Sequence, residues 1–319
     1  MPAKPKIITI EEHYWDRELA SRFKGVEGYR DPKVLERLYD LGELRIREMD
    51  ESGIDMQVLS HGAPSLQKLP ADIAPEIGRA LNDRLHAAIL AHPTRFAGFA
   101  ALPTPDPLAA AKELDRCVEQ LGFKGAMIHG LTNNEFLDDK KYWPIFERAQ
   151  ALDVPIYLHP AVPHPAVMDA YYKDYMQDFP MVIRAAWGFT VETATMAIRL
   201  VLSGIFEEYP RLKIVLGHMG ETLPFLLGRI NEALSRPGNK SMSFRDIFCE
   251  HFYITTSGNF STPALICTMM EVGVDRIIFA IDWPFVPNPP GVEWINGAPI
   301  CAEDRAKILS GNVQKLLRL

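Results

Sequence analysis

The chain has 319 residues, 47% of them hydrophobic and 24% charged, and carries a net charge of −7. That balance excludes the disordered class, and the lack of any apolar run of about eighteen residues excludes a membrane-spanning helix. The acidic charge, with no local Lys/Arg cluster, excludes a nucleic-acid or anionic-membrane partner and leaves a small molecule as the expected one.

The N-terminus shows only a short apolar run, Ile7 to Ile10, before Glu11 and Glu12, so no secretory signal is expected. Strand-like runs then recur: Lys6 to Ile10, Asp55 to Ser60, Phe96 to Leu102, Gly125 to His129, Pro155 to His159, Lys213 to His218, Phe252 to Thr256 and Arg276 to Asp282. Helix-like spacing fills the intervals, at Val34 to Met49, Ile73 to Ala91, Pro107 to Leu121, Tyr142 to Leu152, Glu192 to Glu208, Thr222 to Leu234, Pro263 to Val272 and Ala302 to Leu317. Eight such units predict an α/β protein, a (β/α)8 TIM barrel formed by residues 1–319 as one domain. The longest irregular stretch, Pro160 to Thr190, follows the fifth strand and is expected to be an inserted active-site loop. Cys117, Cys249, Cys267 and Cys301 form no C-x-x-C pair and read as reduced thiols of a cytoplasmic protein.

In such barrels the chemistry sits at the C-terminal ends of the strands. Strand one runs into Glu11-Glu12-His13, where alternation puts Glu11 and His13 on one face and Glu12 on the other. Strand five ends in His159, strand six in His218 and strand eight in Asp282. Each is weak alone, since His159 could be a packed histidine and Asp282 could cap a turn. Together they place metal-binding side chains at one mouth, in a donor set that suits Zn2+ or Mn2+.

The pattern Glu11-x-His13, Tyr157-Leu158-His159-Pro160, Leu216-Gly217-His218-Met219-Gly220-Glu221, Tyr253-Ile254-Thr255-Thr256-Ser257-Gly258-Asn259 and Asp282-Trp283-Pro284-Phe285 resembles the decarboxylase branch of the amidohydrolase superfamily. That branch includes γ-resorcylate, 2,3-dihydroxybenzoate and 5-carboxyvanillate decarboxylases and, more distantly, aminocarboxymuconate semialdehyde decarboxylase. The resemblance spans the chain and is nearest to the γ-resorcylate type. It implies one divalent ion on Glu11, His13, His159 and Asp282, with His218 beside the reacting centre. Glu221 either fixes the His218 tautomer or serves as a helix N-terminal carboxylate. Arg229 resembles an arginine that reaches a neighbouring subunit's pocket, which implies a homo-dimer or homo-tetramer. Trp187, Phe189, Asn259 and Phe285 are candidate pocket walls. His129 and Gly62, where the γ-resorcylate type implies asparagines, and Arg184 depart from that type, and the added His and Arg suit a more anionic or differently substituted ring.

The reaction implied is non-oxidative decarboxylation of an aromatic acid with a hydroxyl ortho to the carboxylate, with Asp282 and His218 moving the proton. Two alternatives stand beside it: a hydrolase or hydratase using metal-bound hydroxide, and a non-catalytic metal-binding protein.

Overall fold

The computed structural model describes residues 5–28, 30–240 and 242–319. Nine parallel strands run in chain order: β1 (Ile8–Tyr14), β2 (Met56–His61), β3 (Phe96–Gly98), β4 (Ala100–Ala101), β5 (Ala126–His129), β6 (Ile156–His159), β7 (Ile214–Leu216), β8 (Phe252–Thr255) and β9 (Ile277–Ile278). β3 and β4 are two pieces of one stave. The Phe99 amide between them donates to Leu59 at 2.9 Å, and the Ala100 amide donates to Gly125 on the other side at 2.8 Å. The eight staves thus match the eight predicted runs and form a (β/α)8 barrel.

Inside the barrel the alternation of the staves stacks Ile8, Ile10, Val58, Phe99, Met127 and Tyr157 into one cluster, joined by Val313, Leu316 and Leu317 of the last helix. A larger core lies between the barrel wall and its helices. Some helices start where the sequence supplies a cap: Asp106 Oδ1 accepts from the Ala109 amide at 3.0 Å, with Pro107 in the first turn.

Some predicted helices divide or shift. The run Val34 to Met49 is two helices, Pro32–Tyr39 and Glu43–Ser52, because Asp40 Oδ1 accepts from the amides of Gly42 and Arg45 and stops the first helix to start the second. Helix Gly188–Ser203 begins before the expected Glu192 and stops at Gly204, which takes φ 85°. The stretch after the fifth stave is not irregular throughout, since Pro165–Val167, Met168–Tyr172 and Pro180–Ile183 are helical turns. Helices Phe244–His251 and Asn288–Gly297 were not expected from periodicity. Among the described residues no helix is long and apolar enough to cross a membrane.

The last stave meets the first through a single backbone bridge, Ile10 to Ala280. A buried side chain completes the join. The Ile281 and Trp283 amides donate to the two Glu12 carboxylate oxygens at 3.0 and 3.1 Å, and the His13 amide donates to the Trp283 carbonyl at 2.7 Å. Burial pushes the Glu12 pKa up to about 8. Glu12→Ala strands two buried amides, each worth about 1–3 kcal/mol. We expect it to lower unfolding stability by about 2–5 kcal/mol in urea titration. An unchanged midpoint would mean that the closure does not depend on this carboxylate.

Candidate metal centre and active-site cavity

Ile8 and Ile10 point into the barrel. Simple alternation from there would turn Glu12 inward and send Glu11 and His13 to the outside. A bulge between Ile10 and Glu12, with Glu11 at φ 68°, reverses the parity. Glu11 and His13 therefore reach the mouth, and Glu12 takes the wall position described above. On β6 and beyond β9 alternation needs no help: Tyr157 and Ala280 are interior, so His159 and Asp282 follow them inward.

One donor atom from each of Glu11, His13, His159 and Asp282 lies within 4.8 Å of the others. His159 Nε2 is 3.3 Å from Glu11 Oε1, and His13 Nε2 is 3.3 Å from Asp282 Oδ1. Second partners fix how each side chain faces the centre. His159 Nδ1 donates to the Pro160 carbonyl at 2.7 Å, which leaves Nε2 as the lone-pair nitrogen. His13 Nδ1 pairs with Ser60 Oγ at 3.2 Å, while Arg45 Nη2 donates to the His13 carbonyl at 2.6 Å. The Tyr157 hydroxyl donates to Glu11 Oε2, and Thr255 Oγ1 approaches the same oxygen at 3.3 Å. A Cβ on Gly217 would stand 2.8 Å from that oxygen, so only glycine leaves room for the carboxylate.

The donor set fits a divalent ion on its own chemistry. Glu11 Oε1, His13 Nε2 and Asp282 Oδ1 are buried without a hydrogen-bond partner, and all belong to the group that converges. Burial, followed by the neighbouring His13, holds His159 well below the ordinary histidine range, in the neutral form that donates a lone pair. Burial raises the Glu11 carboxyl, an unfavourable state that a nearby cation would relieve.

His218 stands beside this group rather than within it. Its Nε2 is 3.4 Å from Glu11 Oε1 and 3.8 Å from Asp282 Oδ2, and its Nδ1 pairs with Glu221 Oε1 at 2.7 Å. Burial alone would depress its pKa, but Glu11, Glu221 and Asp282 outweigh burial and raise it well above the ordinary value. Asp282 moves the other way. The nearby rings of His13 and His218 outweigh burial and hold its carboxyl below the ordinary range.

The centre opens into a cavity of about 800 Å3. Of the residues expected from sequence, His159, His218, Glu221, Asp282, Arg184, Phe189, Asn259 and Phe285 line it. Trp187 does not. It is exposed at the start of helix Gly188–Ser203. Arg229 lies on the solvent face of helix Leu223–Leu234 and does not line this chain's own cavity. His129 is sealed beneath the ligands, its ring centroid 4.8 Å from that of His159 and 6.3 Å from that of His13, with both ring nitrogens lacking partners.

Sequence reading missed Arg30, which lines the cavity, and the supporting set Arg45, Ser60, Tyr157, Thr255 and Ser257. Thr255 ends β8 and Ser257 follows two residues beyond it, a period-two spacing that was a usable signal. Arg30 and Arg45 carried none beyond their place after the first strand.

A family model described as amidohydrolase matches residues 8–319. The chain is 42% identical to a γ-resorcylate decarboxylase of Polaromonas sp. strain JS666 over 325 residues, covering 98% of each protein. It is also similar to the crystal structure of a dihydroxybenzoic acid decarboxylase from the same organism, with bound manganese and the inhibitor 2-nitroresorcinol. There the TM-score is 0.90 at 40% identity, over 99% of this chain and 98% of that one. The structure of 5-carboxyvanillate decarboxylase from Sphingomonas paucimobilis matches at TM-score 0.91 and 33% identity, over 99% of this chain and 100% of that one.

The Tyr157 hydroxyl touches Glu11 but not the donor centre, so Tyr157→Phe tests whether support of this carboxylate matters. We expect a fold-intact variant whose divalent-ion affinity, measured by chelator competition, falls about 10–100-fold. Unchanged affinity would remove Tyr157 from the account.

Proposed function

The chain belongs to the amidohydrolase family, and we propose that within it the protein is a metal-dependent, non-oxidative decarboxylase of an aromatic acid with a hydroxyl ortho to the carboxylate. The observation that carries the reading is the open arrangement at the mouth. Four donors converge there, and His218 is oriented by Glu221 beside them, facing the cavity. Full-length similarity to decarboxylases, rather than to hydrolases, favours carbon–carbon cleavage over metal-bound hydroxide and over a silent binding protein.

Glu11, His13, His159 and Asp282 would hold one divalent ion. Manganese suits a set with two carboxylates and is the ion bound in the Polaromonas structure. When bound, the ion supplies positive charge to the carboxylate and ortho oxygen of the substrate. The protein's own groups then move the proton. The proton lost by the phenolic oxygen passes to the His218–Asp282 pair, whose Nε2 and Oδ2 are 3.8 Å apart. Asp282 delivers it to the ring carbon that bears the carboxylate, the carbon–carbon bond breaks, and carbon dioxide leaves as the ring regains aromaticity. Glu221 holds the His218 ring so that Nε2 faces this transfer. Phe189 and Phe285 supply apolar walls for the ring, and Asn259 a polar contact.

The four unpaired cysteines support a reducing compartment, the cytoplasm. Phe225 and Met270, each 79% exposed on helices beside the cavity, support a homo-oligomer, dimer or tetramer, in which Arg229 on the same helix as Phe225 approaches a partner's cavity. Sedimentation at micromolar concentration is expected to show no dominant monomer, and a fully active monomer would contradict this assembly.

The sharper test separates holding the ion from moving the proton. His218→Asn is expected to retain one ion per chain while kcat for carbon dioxide release falls by about 10²–10⁴-fold, the usual contribution of a positioned acid or base. Asp282→Asn should lose turnover together with part of the metal. If His218→Asn loses its metal with its activity, His218 is a ligand. If it keeps both, its proposed role is wrong.

A further inference from the structure

We propose that Thr255 and Ser257 are positioning residues, a two-hydroxyl relay that ties the backbone of the turn carrying His218 to the carboxylate of Glu11. The proton-transfer role of His218 rests on the decarboxylase reading above, while the relay rests on bonds that reading does not use.

The need for an anchor comes from the backbone. His218, Met219, Gly220, Glu221 and Thr222 are consecutive and all have φ between 51° and 75°, a left-handed turn in which only one residue is glycine. Other residues avoid that region because Cβ meets the following carbonyl oxygen. Relaxing the turn to the right-handed region would carry the His218 ring away from Glu11 and Asp282, which it now faces at 3.4 and 3.8 Å. The Gly220 amide closes the turn onto the Gly217 carbonyl at 2.7 Å. The His218 amide donates out of it, to Ser257 Oγ at 3.0 Å.

From Ser257 the bonds run on to Glu11. Ser257 Oγ already accepts from the amide, and its own proton has Thr255 Oγ1 as partner at 2.9 Å. Thr255 Oγ1 is in turn 3.3 Å from Glu11 Oε2, which also accepts from the Tyr157 hydroxyl. A carboxylate only accepts, so it sets the direction of the chain: amide to serine, serine to threonine, threonine to glutamate. Glu11, Thr255 and Ser257 are fully buried, so water does not compete and each bond polarises the next. Thr256, between the two relay residues, bonds instead to the Ala280 carbonyl at 2.9 Å and fastens the segment to the last stave. The backbone beside His218 closes over both ends of the relay, since a Cβ on Gly217 would stand 2.8 Å from Glu11 Oε2 and 3.1 Å from Ser257 Oγ. Glu11 is thereby divided. Oε2 serves the relay, and Oε1, without a hydrogen-bond partner, faces the other donors. A cation drawn to Glu11 therefore acts on the same carboxylate that anchors the turn of His218.

The test follows hydrogen exchange resolved to the His218 amide, at saturating manganese, with metal content determined on the same sample. Ser257→Ala and Thr255→Val are each expected to exchange at least about tenfold faster there. Their kcat for carbon dioxide release from 2,6-dihydroxybenzoate should fall about 10–100-fold, with KM within about twofold. Thr255→Ser, which keeps the hydroxyl, should recover most of both losses, as a packing role for the threonine methyl would not allow. A measurement on the unmodified enzyme guards against variants that fail to fold: removing manganese with a chelator should speed exchange at the His218 amide at least about tenfold. The relay is wrong, and the decarboxylase reading survives, if Thr255→Val keeps full protection and rate, if Thr255→Ser is as impaired as Thr255→Val, or if chelation leaves the exchange unchanged. If the exchange results hold while the unmodified enzyme releases no carbon dioxide from any ortho-hydroxylated aromatic acid, the decarboxylase reading is wrong and the relay survives.

Discussion

Two carboxylates, Glu11 and Asp282, are brought together at the barrel mouth, and the rest of the site answers to that pairing. Removing a carboxylate from water costs several kcal/mol unless positive charge or donors replace the lost hydration. The protein supplies only part of that replacement. Tyr157 and Thr255 serve one Glu11 oxygen, and His218 stands within reach of Glu11 and Asp282. The other Glu11 oxygen and Asp282 Oδ1 are left facing ring nitrogens, without hydrogen-bond partners. A divalent ion at their meeting point resolves both the charge and the missing contacts, which makes folding of the mouth and binding of the ion one thermodynamic problem.

Holding the groups there requires backbone that most sequences would avoid. Glu11, His218, Met219, Glu221, Thr222 and Asp282 all have positive φ, between 51° and 75°. For residues other than glycine the left-handed region costs about 1–2 kcal/mol each, so the surrounding structure must over-determine it. The supports are visible. Glu12 and Arg45 tie the first and last staves from the wall side, with the Arg45 guanidinium 4.0 Å from the Trp283 ring. Ser257 Oγ accepts from the His218 amide at 3.0 Å. Strained backbone at the mouth is sustained by a rigid barrel beneath it, and no comparable cluster of positive φ occurs elsewhere among the described residues.

The eight staves were legible in the sequence because each is a short apolar run, and the four converging donors were legible because each run ends on a group that an apolar interior would not otherwise tolerate. Alternation paired Glu11 with His13 correctly but could not choose their face. That choice belongs to the bulge, whose only local mark is an unfavourable φ at a residue with no special propensity for it. The split at Asp40 and the helix Asn288–Gly297 were hidden for a similar reason, since side-chain capping and prolines in a first turn override periodicity. Trp187 was expected in the cavity wall because aromatic character marks burial or contact without saying which, and in this chain the ring is exposed and outside the cavity lining.

The barrel separates what must be constant from what can vary. The converging donors Glu11, His13, His159 and Asp282 sit on or shortly after staves, and partners such as Ser60 and Pro160 fix the histidines. Much of the cavity wall comes from segments beyond the staves: Arg30 after the first, Met181 and Arg184 after that ending in His159, Phe285 and Val286 after the last. Exchanging a loop side chain would change charge and shape in the cavity while leaving the staves that carry the donors in place. The contact between Phe285 and His13 is an exception. Through it, any displacement of the Phe285 ring would press on His13, so the aromatic wall is where the shape of the cavity and the position of a converging donor are coupled.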